Sequence, residues 1–315
     1  MNILITGGFG FIGSNLSQHY LDQGHFVTVI DNLSTTSLEH VSKILNLKNE
    51  NLQFIKMDLS SPDGNELLKL DQMIKESDLI FHLAGAVGVK FIDKDPRTAI
   101  RKNITINQLV FPLFEKHQKK VIFASTSEVY GEAEEARETD TLQIGPPDIL
   151  RWGYACGKLM SEFLLKTYTF PHVIARFFNV TGKGQLSEHG MVLPTFVERA
   201  KHRENLVIYG DGSQYRSFCD IRDAVAMLDI LGSNDVHNGE IYNIGNPYET
   251  YTIKELAQLV VDLSGSHVRL EFKDFHDELS SSSEDIIKRK PNTDKIMQYY
   301  KYRYTLKDTI QEMLK

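Results

Sequence analysis

The stretch that decides the fold is Asn2-Ile3-Leu4-Ile5-Thr6-Gly7-Gly8-Phe9-Gly10-Phe11-Ile12-Gly13. Its first five residues form an apolar run without alternation, which predicts a strand covered on both faces. Gly7 then allows a tight turn, Gly10 lets the backbone approach a pyrophosphate, and Gly13 lets the next helix, residues 14–23, pack against the strand. The helix N-terminus offers its N–H groups to phosphates. The stretch therefore predicts a dinucleotide-binding turn.

An acidic residue follows the second predicted strand, Phe26 to Ile30. Asp31 lies 18 residues after Gly13, close to the ~20 expected of a carboxylate that binds an adenine ribose. A simple turn residue is the alternative. A carboxylate here would repel a 2′-phosphate, so the sequence favours NAD over NADP.

The alternation of strands and helices continues through the first half of the chain. Further strands are predicted at Leu52 to Lys56, Leu79 to His82 and Val121 to Ala124, with a long helix at Pro96 to Lys116. This order predicts an α/β fold, a Rossmann doubly wound parallel sheet.

Two residues near the strand ends have alternative interpretations. Asp58 either contacts the adenine from the side or starts a helix, and we interpret His82 as a packed strand-end histidine.

Tyr154 and Lys158 lie one turn apart on a helix predicted from Gly153 to Thr167. A phenol is a poor base at neutral pH because its pKa is about 10. A neighbouring ammonium favours the phenolate and brings that pKa toward the range in which a proton acceptor is useful. The pair is therefore a candidate for proton transfer.

The composition restricts the class of protein. The chain has 315 residues, of which 41% are hydrophobic and 24% charged, as expected for two globular lobes. The net charge is −7 and no basic run is interleaved with aromatic residues, so we expect no nucleic-acid partner. No apolar run approaches ~20 residues, so we expect no membrane partner. Cys156 and Cys219 have no metal-ligand spacing and form no disulfide framework; we expect a cytoplasmic protein without a metal.

The motifs together resemble those of the extended short-chain dehydrogenase/reductase family, specifically its NAD-dependent nucleotide-sugar epimerases, dehydratases and decarboxylases. The resemblance spans nearly the whole chain and includes Ser125-Thr126-Ser127-Glu128-Val129-Tyr130-Gly131, Tyr154-x-x-x-Lys158, Arg176-Phe177-Phe178-Asn179-Val180 and Gly210-Asp211-Gly212-Ser213-Gln214. It implies a catalytic set of Thr126, Glu128, Tyr154 and Lys158. The implied NAD-binding residues are Gly7, Gly10, Phe11, Ile12, Gly13, Asp31, Asn32, Asp58, Leu59, Leu83, Ala84, Gly85, Asn103, Tyr154 and Lys158.

The resemblance also implies a smaller C-terminal α/β lobe that binds a nucleotide sugar, UDP-linked in our interpretation. The expected division is 1–175 plus about 217–240 for the NAD-binding domain, and 176–216 plus 241–315 for the substrate lobe. Implied substrate contacts are Ser127, Asn179, Leu193, Arg216 and Arg289. A serine-rich segment, Phe275 to Asp285, is predicted to be a mobile loop over the substrate. Related enzymes pair through the Tyr-Lys helix and the preceding helix, which implies a homodimer.

Three reactions remain open after the shared oxidation at C4 of the sugar. Dehydratases carry an Asp-Glu pair after the threonine, whereas this chain has Ser127 and Glu128. Thr-Ser-Glu resembles UDP-glucuronate decarboxylases more, and decarboxylation is the preferred interpretation, ahead of 4-epimerisation and 4,6-dehydration. A catalytically silent NAD-binding scaffold is the non-enzyme alternative, although a scaffold has no need of a tuned phenol.

Overall fold

The computed structural model describes residues 1–85, 95–150, 152–265, 267–274 and 288–315, without the side chains of His189, Lys288 and Arg289. The predicted loop Phe275 to Asp285 lies outside the described residues. Strands are β1 (Asn2–Thr6), β2 (Phe26–Asp31), β3 (Leu52–Lys56), β4 (Leu79–His82), β5 (Lys120–Thr126), β6 (Glu135–Ala136), β7 (His172–Phe177), β8 (Val180–Thr181), β9 (Leu206–Tyr209), β10 (Tyr215–Ser217), β11 (Cys219–Asp220), β12 (Ile241–Ile244), β13 (Thr250–Thr252), β14 (Leu270–Lys273) and β15 (Lys288–Pro291).

Helices lie between these strands, and the first begins earlier than the sequence predicts. They are α1 (Phe11–Asp22), α2 (Leu38–Val41), α3 (Gly64–Glu76), α4 (Pro96–His117), α5 (Trp152–Leu165), α6 (Val192–Lys201), α7 (Ile221–Ser233), α8 (Ile253–Ser264) and α9 (Leu306–Leu314). Short 3-10 helices cover Ser127–Tyr130, Ser187–His189, Asp235–His237 and Ile296–Gln298. Helix α1 starts at Phe11 rather than Ser14 because Gly10 is its N-cap.

Seven parallel strands form the central sheet, in the order β12-β7-β5-β4-β1-β2-β3. The predicted doubly wound sheet is confirmed. Strand β1 is buried on both faces: Ile3 and Ile5 belong to one apolar cluster and Leu4 to another on the opposite side. Chain order reverses direction between β1 and β4, and ligands of open α/β sheets bind at such a crevice.

A smaller lobe with its own core follows the central sheet. Helices α6, α8 and α9 contribute to one apolar cluster there. Strand β12 corrects the expected division, because Ile241–Ile244 pairs with β7 in the central sheet rather than belonging to the lobe that was assigned residues 241–315. Within the described ranges, no helix has the length and apolar character needed to cross a bilayer.

A second sheet links the two lobes. It has four strands in the order β13-β10-β15-β6. Strand β6 follows the segment after β5, whereas β10 and β15 belong to the smaller lobe. The backbone after β5 is therefore hydrogen-bonded into the substrate side of the molecule, as when Asn292 N donates to Ala136 O at 2.8 Å.

Candidate active site

The glycine-rich turn forms a tight cradle at the carboxyl end of β1. Gly7 has φ +67°, and a Cβ built on it would lie 2.8 Å from Ala84 N. A Cβ on Gly13 would lie 2.4 Å from Gly7 O, so only glycine lets helix α1 approach the turn this closely. The N-cap Gly10 makes no side-chain hydrogen bond, which leaves the first N–H groups of α1 facing the crevice. This arrangement fits the diphosphate of a dinucleotide.

Asp31 ends β2 beside this turn. Its carboxylate accepts hydrogen bonds from Phe9 N at 3.0 Å and Leu33 N at 2.8 Å. Burial raises the pKa of Asp31, and these backbone N–H groups oppose the rise. Asp31 thus shapes its own turn and also fastens it to the glycine-rich segment. Backbone N–H groups of Asn32 and Gly10 act on the same carboxylate and also lower its pKa.

Asp58 lies next to Asn32 on the same edge of the sheet. It accepts hydrogen bonds from Ser60, Asn32 and Lys102, the last at 3.1 Å. Burial raises the pKa of Asp58, but these bonds outweigh it and bring the pKa to about 2. The N-cap of α3 is Asp63, which excludes the interpretation of Asp58 as the residue that starts this helix. Leu59 is buried in the apolar cluster beside it.

The segment after β4 meets helices α4 and α5. A Cβ built on Gly85 would lie 2.9 Å from Asn103 Oδ1 and 3.3 Å from Lys158 Nζ. Leu83 and Ala84 are half-buried beside the glycine turn, and Ala84 N donates to Thr6 Oγ1 at 3.3 Å. The structure therefore brings together residues from β4, α4 and α5 that are far apart in sequence.

The proposed proton-transfer residues are all buried, and they lie on β5 and on helix α5, which is hydrogen-bonded to that strand. Thr126 and Tyr154 are each 8% exposed and Lys158 is 3% exposed. Tyr154 and Lys158 lie one turn apart on α5, and Lys158 Nζ donates to Ala124 O at 2.8 Å. Lys158 is therefore anchored to β5 two residues before Thr126, the last residue of that strand. The set is almost closed to solvent, as suits controlled proton transfer.

Burial sets the acidity of the lysine. It lowers the pKa of Lys158 from 10.5 to about 8, and the charge of Glu162 opposes this effect. The ammonium also lies 5.2 Å from the centre of the Phe123 ring. At neutral pH most of Lys158 carries its proton, which is the form that stabilises an adjacent phenolate.

Ser127 and Glu128 follow Thr126 in a 3-10 helix. Thr126 Oγ1 accepts from Glu128 N at 3.3 Å, which fixes the start of that helix. Ser127 is 2% exposed, whereas Glu128 is half-buried. Of these two side chains, Glu128 is the more accessible to a substrate.

Two predicted substrate-side arginines are neighbours in the second sheet. Arg216 and Arg289 occupy paired positions of the parallel strands β10 and β15. Asn179 has φ +31°, and its amide nitrogen donates to Ser217 O at 3.0 Å, next to Arg216. Non-glycine residues with such backbone angles cluster at functional sites.

Leu193 lies in the core of the smaller lobe. Helix α6 is amphipathic and buries one face there, where Leu193 is 1% exposed and belongs to the same apolar cluster as Phe196 and Leu256. The substrate contact expected of Leu193 stays a prediction. Glu162 is not among the predicted site residues. It is buried and its charge acts on Lys158, and its spacing of four residues from that lysine is the signal that could have found it.

The profile of the NAD dependent epimerase/dehydratase family matches residues 3–245. The chain belongs to this family. It is accordingly an enzyme that uses NAD, and the tight glycine turn fits the diphosphate of that cofactor.

Relatives of known activity cover almost the whole chain. The UDP-N-acetyl-alpha-D-glucosaminuronate decarboxylase of Bacillus cytotoxicus is 33% identical and aligns with 98% of this chain and 96% of its own length. UDP-glucuronic acid decarboxylase 4 of Arabidopsis thaliana is 32% identical over 94% of this chain, which spans 63% of that relative. The structure of UDP-glucuronic acid 4-epimerase from Bacillus cereus, solved with UDP-glucuronic acid and NAD, is 27% identical, covers 100% of this chain and 98% of its own, and has a TM-score of 0.85.

Proposed function

We propose that this enzyme decarboxylates a UDP-linked uronic acid, with UDP-glucuronate or its 2-acetamido counterpart as substrate. The burial of Tyr154 and Lys158 on α5, with Lys158 anchored to Ala124 O two residues before Thr126 and with Glu128 half-buried after it, carries the proposal. The decarboxylases similar to this chain over 94% or more of its length support it.

Tyr154 begins the reaction as a base. Its phenolate takes the proton of the sugar C4 hydroxyl, Lys158 stabilises the phenolate, and Thr126 orients the hydroxyl. NAD, when bound, supplies the hydride acceptor at C4 and later returns the hydride. The chain's own residues bind, orient and move the proton, while the closed site excludes water.

The C4 ketone makes carbon dioxide loss favourable. A uronic acid oxidised at C4 is a β-keto acid, so the electrons of the C5–C6 bond can move into the enolate of that ketone as carbon dioxide leaves. Tyr154, now protonated, and Thr126 donate hydrogen bonds to the enolate oxygen. Glu128 is proposed to transfer the proton that returns to C5. Ser127 is proposed to position the substrate carboxylate.

Asn179, Arg216 and Arg289 are proposed to hold the diphosphate. Strands β10 and β15 pair the positions of Arg216 and Arg289 in register, which supports this assignment. A planar guanidinium also matches phosphate oxygens well.

A second candidate function is 4-epimerisation. The likeness to a UDP-glucuronic acid 4-epimerase over the full chain favours it, and the Thr126, Tyr154 and Lys158 set is sufficient for it. Epimerisation differs from decarboxylation in two respects: the 4-keto sugar rotates within the site, and its carboxylate is retained.

Product masses test the proposal. The enzyme is incubated with UDP-glucuronate, UDP-N-acetylglucosaminuronate, UDP-glucose and UDP-N-acetylglucosamine. Loss of carbon dioxide from a uronate supports the proposal. An unchanged mass with a new sugar spectrum supports epimerisation, and loss of water means dehydration. Failure to turn over any sugar, or full activity of Tyr154→Phe, refutes the proposed chemistry.

We also propose a homodimer formed through α4 and α5. Met160 is 57% exposed and Phe163 is 66% exposed, one turn apart on the outer face of α5. Phe163→Glu is expected to give a monomer in sedimentation, whereas Leu68→Glu, 71% exposed on α3, should not.

A cytoplasmic location is proposed because Cys156 and Cys219 are both free thiols.

A further inference from the structure

A buried ion pair lies directly behind the proposed catalytic set. Glu162 is 4% exposed and Arg176 is 2% exposed. The pair is bidentate: Arg176 Nε is 3.0 Å from Glu162 Oε1, and Nη2 is 2.6 Å from Oε2. Buried ion pairs often add nothing to stability over apolar residues of the same volume, so a role in positioning has to be considered.

Glu162 connects the strand that carries Thr126 to the helix that carries Tyr154. Its Oε1 accepts a hydrogen bond from Ser125 Oγ. Lys158, one turn earlier on the same helix, donates to Ala124 O. Two consecutive residues of β5 are therefore fastened to two successive turns of α5, immediately before Thr126. This double attachment fixes the separation between the threonine and the tyrosine.

Glu162 is also the carboxylate whose charge acts on Lys158. The titratable groups around the lysine are Tyr154 and Glu162 on α5, His82 on β4 and, through its ion pair, Arg176 on β7. Strand β5 contributes Phe123 and the Ala124 carbonyl, and α4 contributes Asn103; none of these titrates. Burial lowers the pKa of His82 to about 4, so it is neutral. Within the described part of the chain, Glu162 is thus the negative charge that offsets the burial of this ammonium.

Arg176 holds the carboxylate in place from the far side. Its Nη1 donates to Tyr130 OH at 2.8 Å, and Tyr130 OH donates to Asn243 Oδ1 at 2.7 Å. These partners belong to the 3-10 helix after Thr126 and to β12. The guanidinium therefore cannot shift without breaking contacts on both neighbouring elements.

We propose that Glu162, held by Arg176, is a positioning residue that keeps Lys158 protonated and sets the separation of Thr126 and Tyr154. The inference rests on the proposed roles of Thr126, Tyr154 and Lys158. It assigns to Glu162 an effect on the charge of the lysine that a purely structural ion pair would not have.

Glu162→Gln tests the electrostatic part, because it removes the charge with little change of shape. If the pKa of Lys158 falls from about 8 by roughly one unit, turnover is nearly unchanged at pH 6 and falls about fivefold at pH 8, with KM unchanged. The lysine is observed directly by NMR of the NAD-loaded enzyme made with isotope-labelled lysine, its signal being assigned by its loss in Lys158→Met. Its titration midpoint should fall by the same amount.

Ser125→Ala tests the positional part. It removes one attachment of the strand to Glu162 but no charge, so turnover is expected to fall at all pH values without a change in the lysine titration. Unchanged turnover in this variant would overturn the positional part.

Asp223→Asn is the matched control. Asp223 is fully buried and accepts from Tyr300 OH at 2.6 Å, away from the site. It is expected to lose stability with an unaltered pH profile. If Glu162→Gln does not fold, the double variant Glu162→Gln with Arg176→Met leaves no unpaired charge and should show the same shift.

An unaltered Lys158 titration and pH profile in the Glu162 variants would overturn the electrostatic part. Tyr154→Phe, measured alongside, separates a failure of this inference from a failure of the proposed function. If it is inactive while the Glu162 variants titrate normally, only this inference fails. If it is fully active, the proposed function fails as well.

Discussion

Replacing Lys158 by methionine should stabilise the protein while abolishing its activity. Burial lowers the pKa of this lysine from 10.5 to about 8. The unfolded chain therefore binds more protons than the folded chain between these two values, and stability rises with pH across that window. At pH 7 the buried ammonium costs about 3 kcal/mol, at 1.36 kcal/mol per pKa unit. Methionine fills a similar volume without the charge.

The lost hydrogen bond to Ala124 O offsets part of this gain. A carbonyl left without its donor costs about 1 kcal/mol. The net expectation for Lys158→Met is a gain of about 2 kcal/mol at pH 7. At pH 9.5 about half of the ammonium cost has disappeared from the wild-type protein, so the gain should shrink to a few tenths of a kcal/mol.

Urea unfolding at pH 7 and pH 9.5 measures this difference. Both proteins are held at equal concentration without added NAD, because a difference in NAD affinity would itself change the apparent stability. The slopes of the unfolding curves are compared, because only a shift at constant slope reports stability. Lys116→Met is the control: its side chain is 57% exposed, and its effect should be small. The reasoning would be refuted if Lys158→Met were less stable than the wild-type protein at pH 7. It would also be refuted if the free energy of unfolding changed by the same amount at both pH values.

Three further substitutions probe the cofactor cradle and the proton-transfer set. Gly13→Ala places a Cβ 2.4 Å from a main-chain oxygen, so NAD binding measured by calorimetry should weaken at least tenfold, whereas Gly64→Ala, with open space around it, should bind normally. Asp31→Ala should raise the NAD dissociation constant about tenfold, since bonds to charged groups contribute about 1.5–3 kcal/mol, and should reduce the preference over NADP; an unchanged preference contradicts the ribose assignment. Thr126→Val should lower turnover about a hundredfold and Thr126→Ser should restore most of it, while equal activity of all three proteins would remove Thr126 from the mechanism.

The central sheet could be predicted almost completely from the sequence. Strands β3 and β4 have the predicted bounds, and Asp31 ends β2 as expected. Apolar runs between glycine-rich turns are local signals, and a parallel sheet covered by helices is the arrangement that satisfies them. The start of α1 was missed by three residues because the N-cap is a glycine without a side chain.

The residues of the nucleotide crevice were also local predictions. The tight turn at Gly7 and the close helix packing at Gly13, both predicted from spacing, are confirmed, whereas ribose binding by Asp31 stays a prediction. The role of Asp58 could not be chosen from the sequence, because helix α4 brings its partner Lys102 from 44 residues away.

The sequence by itself determined which chemistry the chain carries: a glycine turn for a dinucleotide, an acid for its ribose, and a tyrosine and lysine one helical turn apart. Only the tertiary structure decided how these groups are arranged. It buries Lys158 beside Gly85 and Asn103, pairs Arg216 with Arg289 across two strands, and places the ion pair of Glu162 and Arg176 behind the site. The physical reason is range: spacing along the chain specifies contacts within a turn or strand, whereas burial and partners over long separations depend on how complete elements pack.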